Sequence, residues 1–284
     1  MKLFVRKQDA EKGVTIKMIT GFIGFIKGLF EERKVIFDLA KNDFKAKYTN
    51  SLLGIAWAFM LPLTVILVLW FVFQVGFRSM PVDDVPFILW YIPAFLSWNF
   101  FSDAFGSASG CIFDYYYLVK NMKFRVSSLP VVKIISSSFV HFFFIIFIFV
   151  IYAIYGRWPS IYNFQIIYYY FCTIILLLGV TWLMSALAVF SKDILNIISL
   201  IVQVGFWATP IVWDPGSMPP IVQAVVKINP MYYICVGYRE SFCGETWFWN
   251  HPVQTVYFWV FALSQLVLGA YVFHKLRPQF ADML

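Results

Sequence analysis

Two acidic residues and one histidine stand inside otherwise apolar sequence: Asp103 in FFSDAFGSASG, Asp114 close behind it, and His141 in SFVHFFFIIF. Ionisable groups in such surroundings are candidates for moving protons, ions or substrates, because hydrocarbon makes them costly to keep. These three are too few and too scattered for the proton relay of a gradient-driven pump. Serine and glycine beside Asp103 can supply hydroxyl and backbone partners, so a structural hydrogen bond and a substrate contact both fit it. His141 reads as a packing histidine. A membrane-embedded enzyme such as a glycan transferase would need more clustered acid than Asp103 and Asp114 provide.

The motifs of soluble chemistry are missing as well. The chain has no GxxxxGK[ST] loop to cradle ATP phosphates, and no HExxH, GxSxG or CxxC pattern. Cys111, Cys172, Cys235 and Cys243 lack metal-ligand spacing, so neither a metal nor a cofactor is expected in this chain. Cys235 and Cys243 read as buried small hydrophobes, with an outer-face disulfide or a ligand pair as the other readings. Catalysis is not expected of the chain by itself.

The elements that must position these residues are membrane helices. The 284-residue chain is 61% hydrophobic and 13% charged, with mean hydropathy +0.75, against about a quarter charged in soluble domains. A span needs roughly 20 apolar residues. Six stretches qualify, at 52–77, 85–112, 134–155, 166–190, 194–212 and 252–273. The second is interrupted by Pro93, Asn99 and Asp103. Basic residues orient the set: eleven Lys and Arg lie in the first 47 residues, and Lys120, Lys123, Arg125 and Lys133 follow span two. Lys192, Lys275 and Arg277 fall on the same side, against only Arg78, Arg157, Lys227 and Arg239 on the other. The positive-inside rule puts both ends in the cytoplasm. The net charge of +7 is then a topology signal and calls for no nucleic-acid partner. The N-terminus, MKLFVRKQDAEKGVTIK, is not expected to be a signal peptide.

The sequence divides into a cytoplasmic segment, 1–50, and a transmembrane domain, 51–284. Residues 15–30 and 31–48 are amphipathic, the second with Val35, Ile36, Leu39, Ala40 and Phe44 on its apolar face, and such helices lie along a membrane surface. They read equally as plain anchors or as docking surfaces for a cytoplasmic partner. Loop 118–133 is basic with interleaved apolar residues, and Ser127-Ser128-Leu129-Pro130 can start a helix. Segment 213–251 is too apolar for a free loop and too interrupted for a span. Pro219-Pro220 opens a short helix that Asn229-Pro230 ends, and a second runs over 231–243. Two half-helices re-entering the outer leaflet fit this pattern, with a small amphipathic cap as the alternative. The aromatics Trp57, Trp70, Trp98, Phe101, Phe105 and Tyr115 suit interfacial belts and packing, and equally a channel whose rings stack on sugars.

Four segments in order resemble one family. They are KYTNSLLGIAWAFMLPL (Leu53, Gly54, Trp57, Pro62), WNFFSDAFGSASGCI with YLVKNMKFRVSSLPVVK, NPMYYICVGYRESF (Asn229, Pro230, Tyr238, Arg239) and KLRPQFADML. The chain resembles the membrane permease subunits of ABC exporters for lipid-linked polysaccharides: teichoic acids, O-antigens and capsules. WFW at 247–249 and the YRESF run look most like the teichoic-acid branch. The resemblance implies an all-α permease in the bacterial cytoplasmic (inner) membrane, with six spans, N-terminal interfacial helices and a re-entrant outer pair. It implies two copies forming a channel, each with a cytoplasmic ATPase subunit that holds ATP and magnesium. Lys120, Lys123, Phe124, Arg125 and Leu129 would then contact the ATPase. Arg33, Lys34 and Lys41 would meet the lipid diphosphate. Trp57, Trp70, Trp98, Phe101, Asp103, Phe105 and Tyr115 would line the channel, and Pro219, Pro220, Asn229, Pro230, Tyr238 and Arg239 would form the outer gate. A permease for a drug or small lipid is the alternative.

Overall fold

The computed structural model describes residue 28 and residues 31–49, 52–78, 85–120, 125–244 and 246–284. The expected helix over 15–30 lies outside the described residues apart from Gly28. What is described is helical, with no β-strand. Helix α1 (Arg33–Ala46) precedes α2 (Ala56–Trp70), which continues as a wider π turn over Phe71–Gly76. Next come α3 (Phe87–Asp114), the short α4 (Tyr116–Lys120) and α5 (Leu129–Ile154). Helices α6 (Gln165–Ala188) and α7 (Asp193–Ala208) follow. The outer segment forms α8 (Pro220–Val226) and α9 (Pro230–Cys243), and α10 (Pro252–Leu276) with α11 (Phe280–Met283) closes the chain.

Among the described residues, four helical stretches are long and apolar enough to cross a membrane: Ala56–Gly76, Val126–Ile154, Ile161–Ala188 and Pro252–Met283. The other two expected spans are helices of a different kind. At 28 residues α3 is long enough, but Asn99, Asp103 and a run of serines lower its hydropathy. It tolerates them because α5, α6, α7 and α9 pack around it and bury most of its length. Helix α7, at 16 residues, reaches about 24 Å, short of the ~30 Å hydrocarbon core.

Helix α3 is therefore the core of the molecule. Tyr91 donates to the Ile66 carbonyl of α2, and Tyr152 of α5 donates to the Leu89 carbonyl at 2.8 Å. Such bonds tie neighbouring helices where no water competes. Helix α2 is held more lightly, with only Ala58, Pro62 and Ile66 buried along one stripe.

The closest approach is between α6 and α10. A Cβ on Gly269 would lie 2.1 Å from the Gly179 carbonyl oxygen, and one on Gly179 2.6 Å from the Leu266 nitrogen. Backbones in contact demand glycine on both helices, since any side chain would wedge them apart. Gly269→Val is expected to lower thermal stability of the detergent-purified protein by at least the ~1–3 kcal/mol of an overpacked core. Gly110→Ala, inside helix α3 where a Cβ meets open space, is expected to hold or slightly raise the midpoint, because Ala is about 0.5–1 kcal/mol better than Gly in a helix interior.

Candidate functional site

At the end of the bundle that carries loop 118–133, the amphipathic helix α1 lies on α5. Glu32, Ile36, Ala40, Asp43 and Lys47 recur at four- and three-residue spacing and so share one face. The apolar middle of that face is buried, Ile36 and Ala40 packing with Val132 and alongside Leu39 and Phe139. Phe44 stacks edge-on against Phe139 at 5.6 Å. Val35, expected on this face, is half exposed, because its position in the helical turn points away from α5.

The charged ends of the same face form a ladder. Arg125 meets Glu32 at 3.1 Å and Glu31 at 3.7 Å, and Ser128 donates to Glu32 at 3.3 Å. Lys133 lies between Asp43 at 2.7 Å and Asp114 at 2.8 Å. Tyr115 donates its hydroxyl to Asp43 at 2.7 Å. Burial first, and this acceptor second, push the Tyr115 hydroxyl well above its ordinary pKa, so it stays a donor. Lys47 pairs with Asp103 at 2.6 Å, and Ser137 donates to the other Asp103 oxygen at 2.7 Å. Of the two expected readings for Asp103, the structure carries the hydrogen-bonded one in this chain. The ladder joins the end of the basic loop to α1, α3 and α5.

The remaining expected residues fall as follows. Lys120 is exposed at the end of α4, and Lys123 and Phe124 lie outside the described residues. Leu129, expected on the docking face, is fully buried. It braces the loop from within, beside Cys111, Ile112 and Trp182. Arg33, Lys34 and Lys41 are exposed, and Lys34 and Lys41 share the outer face of α1 with Lys45. Trp98, Phe101, Phe105 and Tyr115 are buried within the single chain, while Trp57 is partly exposed on α2. They do not converge on one cavity in the single chain. Trp98 instead presses on Gly205 of α7, where a Cβ would come within 2.7 Å of its ring.

The outer pieces divide in two. Helix α8, opened by the exposed Pro219 and Pro220, buries no residue. Helix α9 is embedded against α3, α6 and α10. Asn229 caps it by accepting from the Met231 amide at 2.9 Å, and donates to Thr209 at 2.8 Å, with Pro230 in the first turn. Tyr238, fully buried, meets His141 Nε2 at 3.0 Å. His141 also stacks on Phe100 with ring centroids 4.6 Å apart, the packing role expected of it. Arg239 donates from Nε to the Trp90 carbonyl at 3.1 Å, and from one terminal nitrogen to Pro210 at 2.6 Å and Ile211 at 3.0 Å. Its guanidinium carbon sits 3.5 Å over the Trp90 ring, a cation–π contact. All four cysteines are free. Cys235 lies 3.3 Å from Ser97 Oγ, and Cys243 lies 2.9 Å from the Tyr152 hydroxyl.

The family model for the ABC-2 type transporter matches residues 35–243, and the chain belongs to that family. It is the membrane permease component of an ABC-2 exporter, distinct from the ATPase subunit that such a transporter requires. The O-antigen export system permease protein RfbA of Klebsiella pneumoniae is 25% identical over 258 residues, 88% of this chain and 96% of that one. The protein of the same name from Myxococcus xanthus is 23% identical over 269 residues, 92% and 100% of the two chains. These relatives are named for O-antigen export and lend no support to the teichoic-acid branch.

Asp43 and Lys47 are not among the residues that the sequence singles out, and Lys133 stands there only as one of the basic residues that orient the spans. The overlooked signal is an acid and a base four apart on the apolar face of an amphipathic helix. Lys133→Ala leaves Asp43 and its neighbour Asp114 without their cation. Removing one partner of a buried pair costs about 3 kcal/mol, and thermal unfolding is expected to register that loss. Adding Asp43→Asn to Lys133→Met restores most of it.

Proposed function

We propose that this permease exports an undecaprenyl-diphosphate-linked polysaccharide from the cytoplasm to the outer face, as one half of a channel made by two copies of the chain. The observation that carries the reading is similarity along nearly the whole length to O-antigen export permeases, 96% and 100% of the relatives being covered. An O-antigen-type glycan is the first expectation, with wall teichoic acid and capsule next. Six spans with both ends in the cytoplasm fit the distribution of Lys and Arg, with α3 and α7 as the two atypical crossings. Both become tenable if protein surrounds them, and α3 already has such cover. The outward apolar stripes of α2 and α7, including Leu61, Val65, Leu200 and Val204, support a second copy packing there.

In this reading a cytoplasmic ATPase subunit, holding ATP and magnesium, pushes on the basic loop 118–133 through Lys120, Lys123, Phe124 and Arg125. The ladder passes that displacement from Arg125 and Lys133 to α1 and to Asp103. Lys34 and Lys41, with Arg33 at the head of the helix, offer cations to the diphosphate at the inner surface. Trp57 and Trp70 of α2 would meet sugar faces once two copies enclose a path, while Trp98, Phe101, Phe105 and Tyr115, buried within the chain, would reach it only through a rearrangement of the helices. Helices α8 and α9, re-entering from outside, would gate the exit. Their embedded half is α9, with Arg239 and Tyr238 as its fixings.

Depletion of the protein is expected to make a diphosphate-linked glycan accumulate on the cytoplasmic side, identified by mass spectrometry of extracted lipids. The purified chain alone should hydrolyse no ATP, and hydrolysis should appear with its ATPase partner. Accumulation of no lipid-linked glycan, with sensitivity to a drug or loss of a small lipid outside, would replace the reading with the small-molecule one.

A further inference from the structure

Loop 118–133 rests on an apolar core of its own, distinct from the larger core of the bundle. Val119 at the near end of the loop, and Val126 and Leu129 at the far end, are buried in it. Trp182 of α6, Phe273 of α10 and Phe280 of α11 belong to the same cluster. Trp182 is fully buried and donates its indole N–H to the Ser127 carbonyl at 3.1 Å. The ionic ladder ties the loop to α1, α3 and α5; this core adds α6, α10 and α11.

Phe280 is the unusual member. After α10 the chain turns through Arg277–Gln279, with Pro278 in that turn, and α11 then packs against α4 at the start of the loop. Four residues cannot sustain a helix in water, because nucleation costs more than one turn returns. The order of α11 therefore comes from what it packs on, and Phe280 is its one buried residue. That ring has no exposure and stands edge-on to Phe273 at 5.4 Å. It also meets Phe190, in the turn between α6 and α7, at 6.5 Å. Topology accounts for the charges of Lys275 and Arg277. It does not account for a fully buried ring three residues further on.

We propose that Phe280 is a positioning residue for the basic loop: it pins α11 against α4, and so holds both ends of loop 118–133 in the arrangement that an ATPase subunit engages. The inference rests on the reading of that loop as the ATPase contact. Trp182 fixes the same loop from α6, through the Ser127 carbonyl. A loop ordered in advance gives up little conformational freedom when a partner docks. Loosening it weakens docking and leaves the rate of the docked complex as it was. The Leu118 and Val119 amides donate to the Tyr115 carbonyl, and the Ser128 amide to the Arg125 carbonyl, so these three report on the two ends of the loop.

Hydrogen–deuterium exchange of the full-length protein in detergent tests the positioning, and titration with the ATPase subunit tests its consequence. Phe280→Ala is expected to speed exchange at Leu118, Val119 and Ser128 by at least about tenfold, as local opening becomes easier once a buried ring is truncated. Amides inside α9 keep their rates. Phe280→Leu should retain most of the protection, and Met283→Ala, exposed on the same short helix, all of it. Trp182→Phe, which keeps a ring and loses the N–H, should speed exchange at Ser128 about fivefold, the scale of one hydrogen bond. In the titration Phe280→Ala should raise the half-saturating ATPase concentration about tenfold, with the hydrolysis rate at saturation held. Unchanged loop exchange in Phe280→Ala would overturn the proposal. So would equal acceleration throughout the chain, which assigns Phe280 to general stability, or an unchanged half-saturating concentration. Failure of the unaltered protein to support any hydrolysis would overturn the functional reading and with it the docking consequence, while the exchange result by itself decides whether Phe280 positions the loop.

Discussion

A lysine held between two carboxylates is the junction on which the inner half of the molecule depends: Lys133 of α5 reaches Asp43 of α1 and Asp114 of α3 at 2.7 and 2.8 Å. The lysine and Asp43 side chains are only 11% and 10% exposed. Charges so placed cost several kcal/mol each to desolvate, and mutual attraction with good geometry must offset that cost. Such a junction has little tolerance for partial rearrangement, because moving one helix strands a charge from another. The ion pairs thus bind α1, α3 and α5 to one another at the end of loop 118–133.

The same physics explains why α3 can be central. A helix carrying Asn99, Asp103 and many serines is a poor span in lipid, where unsatisfied polar groups are expensive. Enclosed by α5, α6, α7 and α9 it becomes the axis to which the others attach. Asp103 is answered by Lys47 and Ser137, and the Leu89 carbonyl by Tyr152. Among the polar residues that weaken it as a membrane segment, Asp103 and Ser97 reach neighbouring helices, while Ser102, Ser107 and Ser109 bond carbonyls of α3 itself.

Much of this was legible in sequence. Runs of apolar residues are set by hydrocarbon thickness, so four spans appear where expected. The proline-punctuated pieces at 213–251 became helices Pro220–Val226 and Pro230–Cys243, because Pro and Asn act locally on the backbone. Side-chain partnerships across helices were not legible. Nothing local to Lys133 or Asp43 names the other, and Leu129 looks like a surface residue until α3 and α6 are placed around it. The family was visible in ordered motifs, whereas the branch was inferred from WFW and YRESF, short aromatic runs that many interfacial segments share.

Arg239 illustrates how choice of partner sets what a molecule ignores. Its guanidinium hydrogen-bonds to the carbonyls of Trp90, Pro210 and Ile211, and peptide carbonyls neither gain nor lose protons in any habitable medium. A carboxylate in their place would have made the joint between α9, α3 and the turn after α7 a sensor of external acidity. Built on backbone instead, the joint has no acceptor that titrates, so acid leaves it fastened.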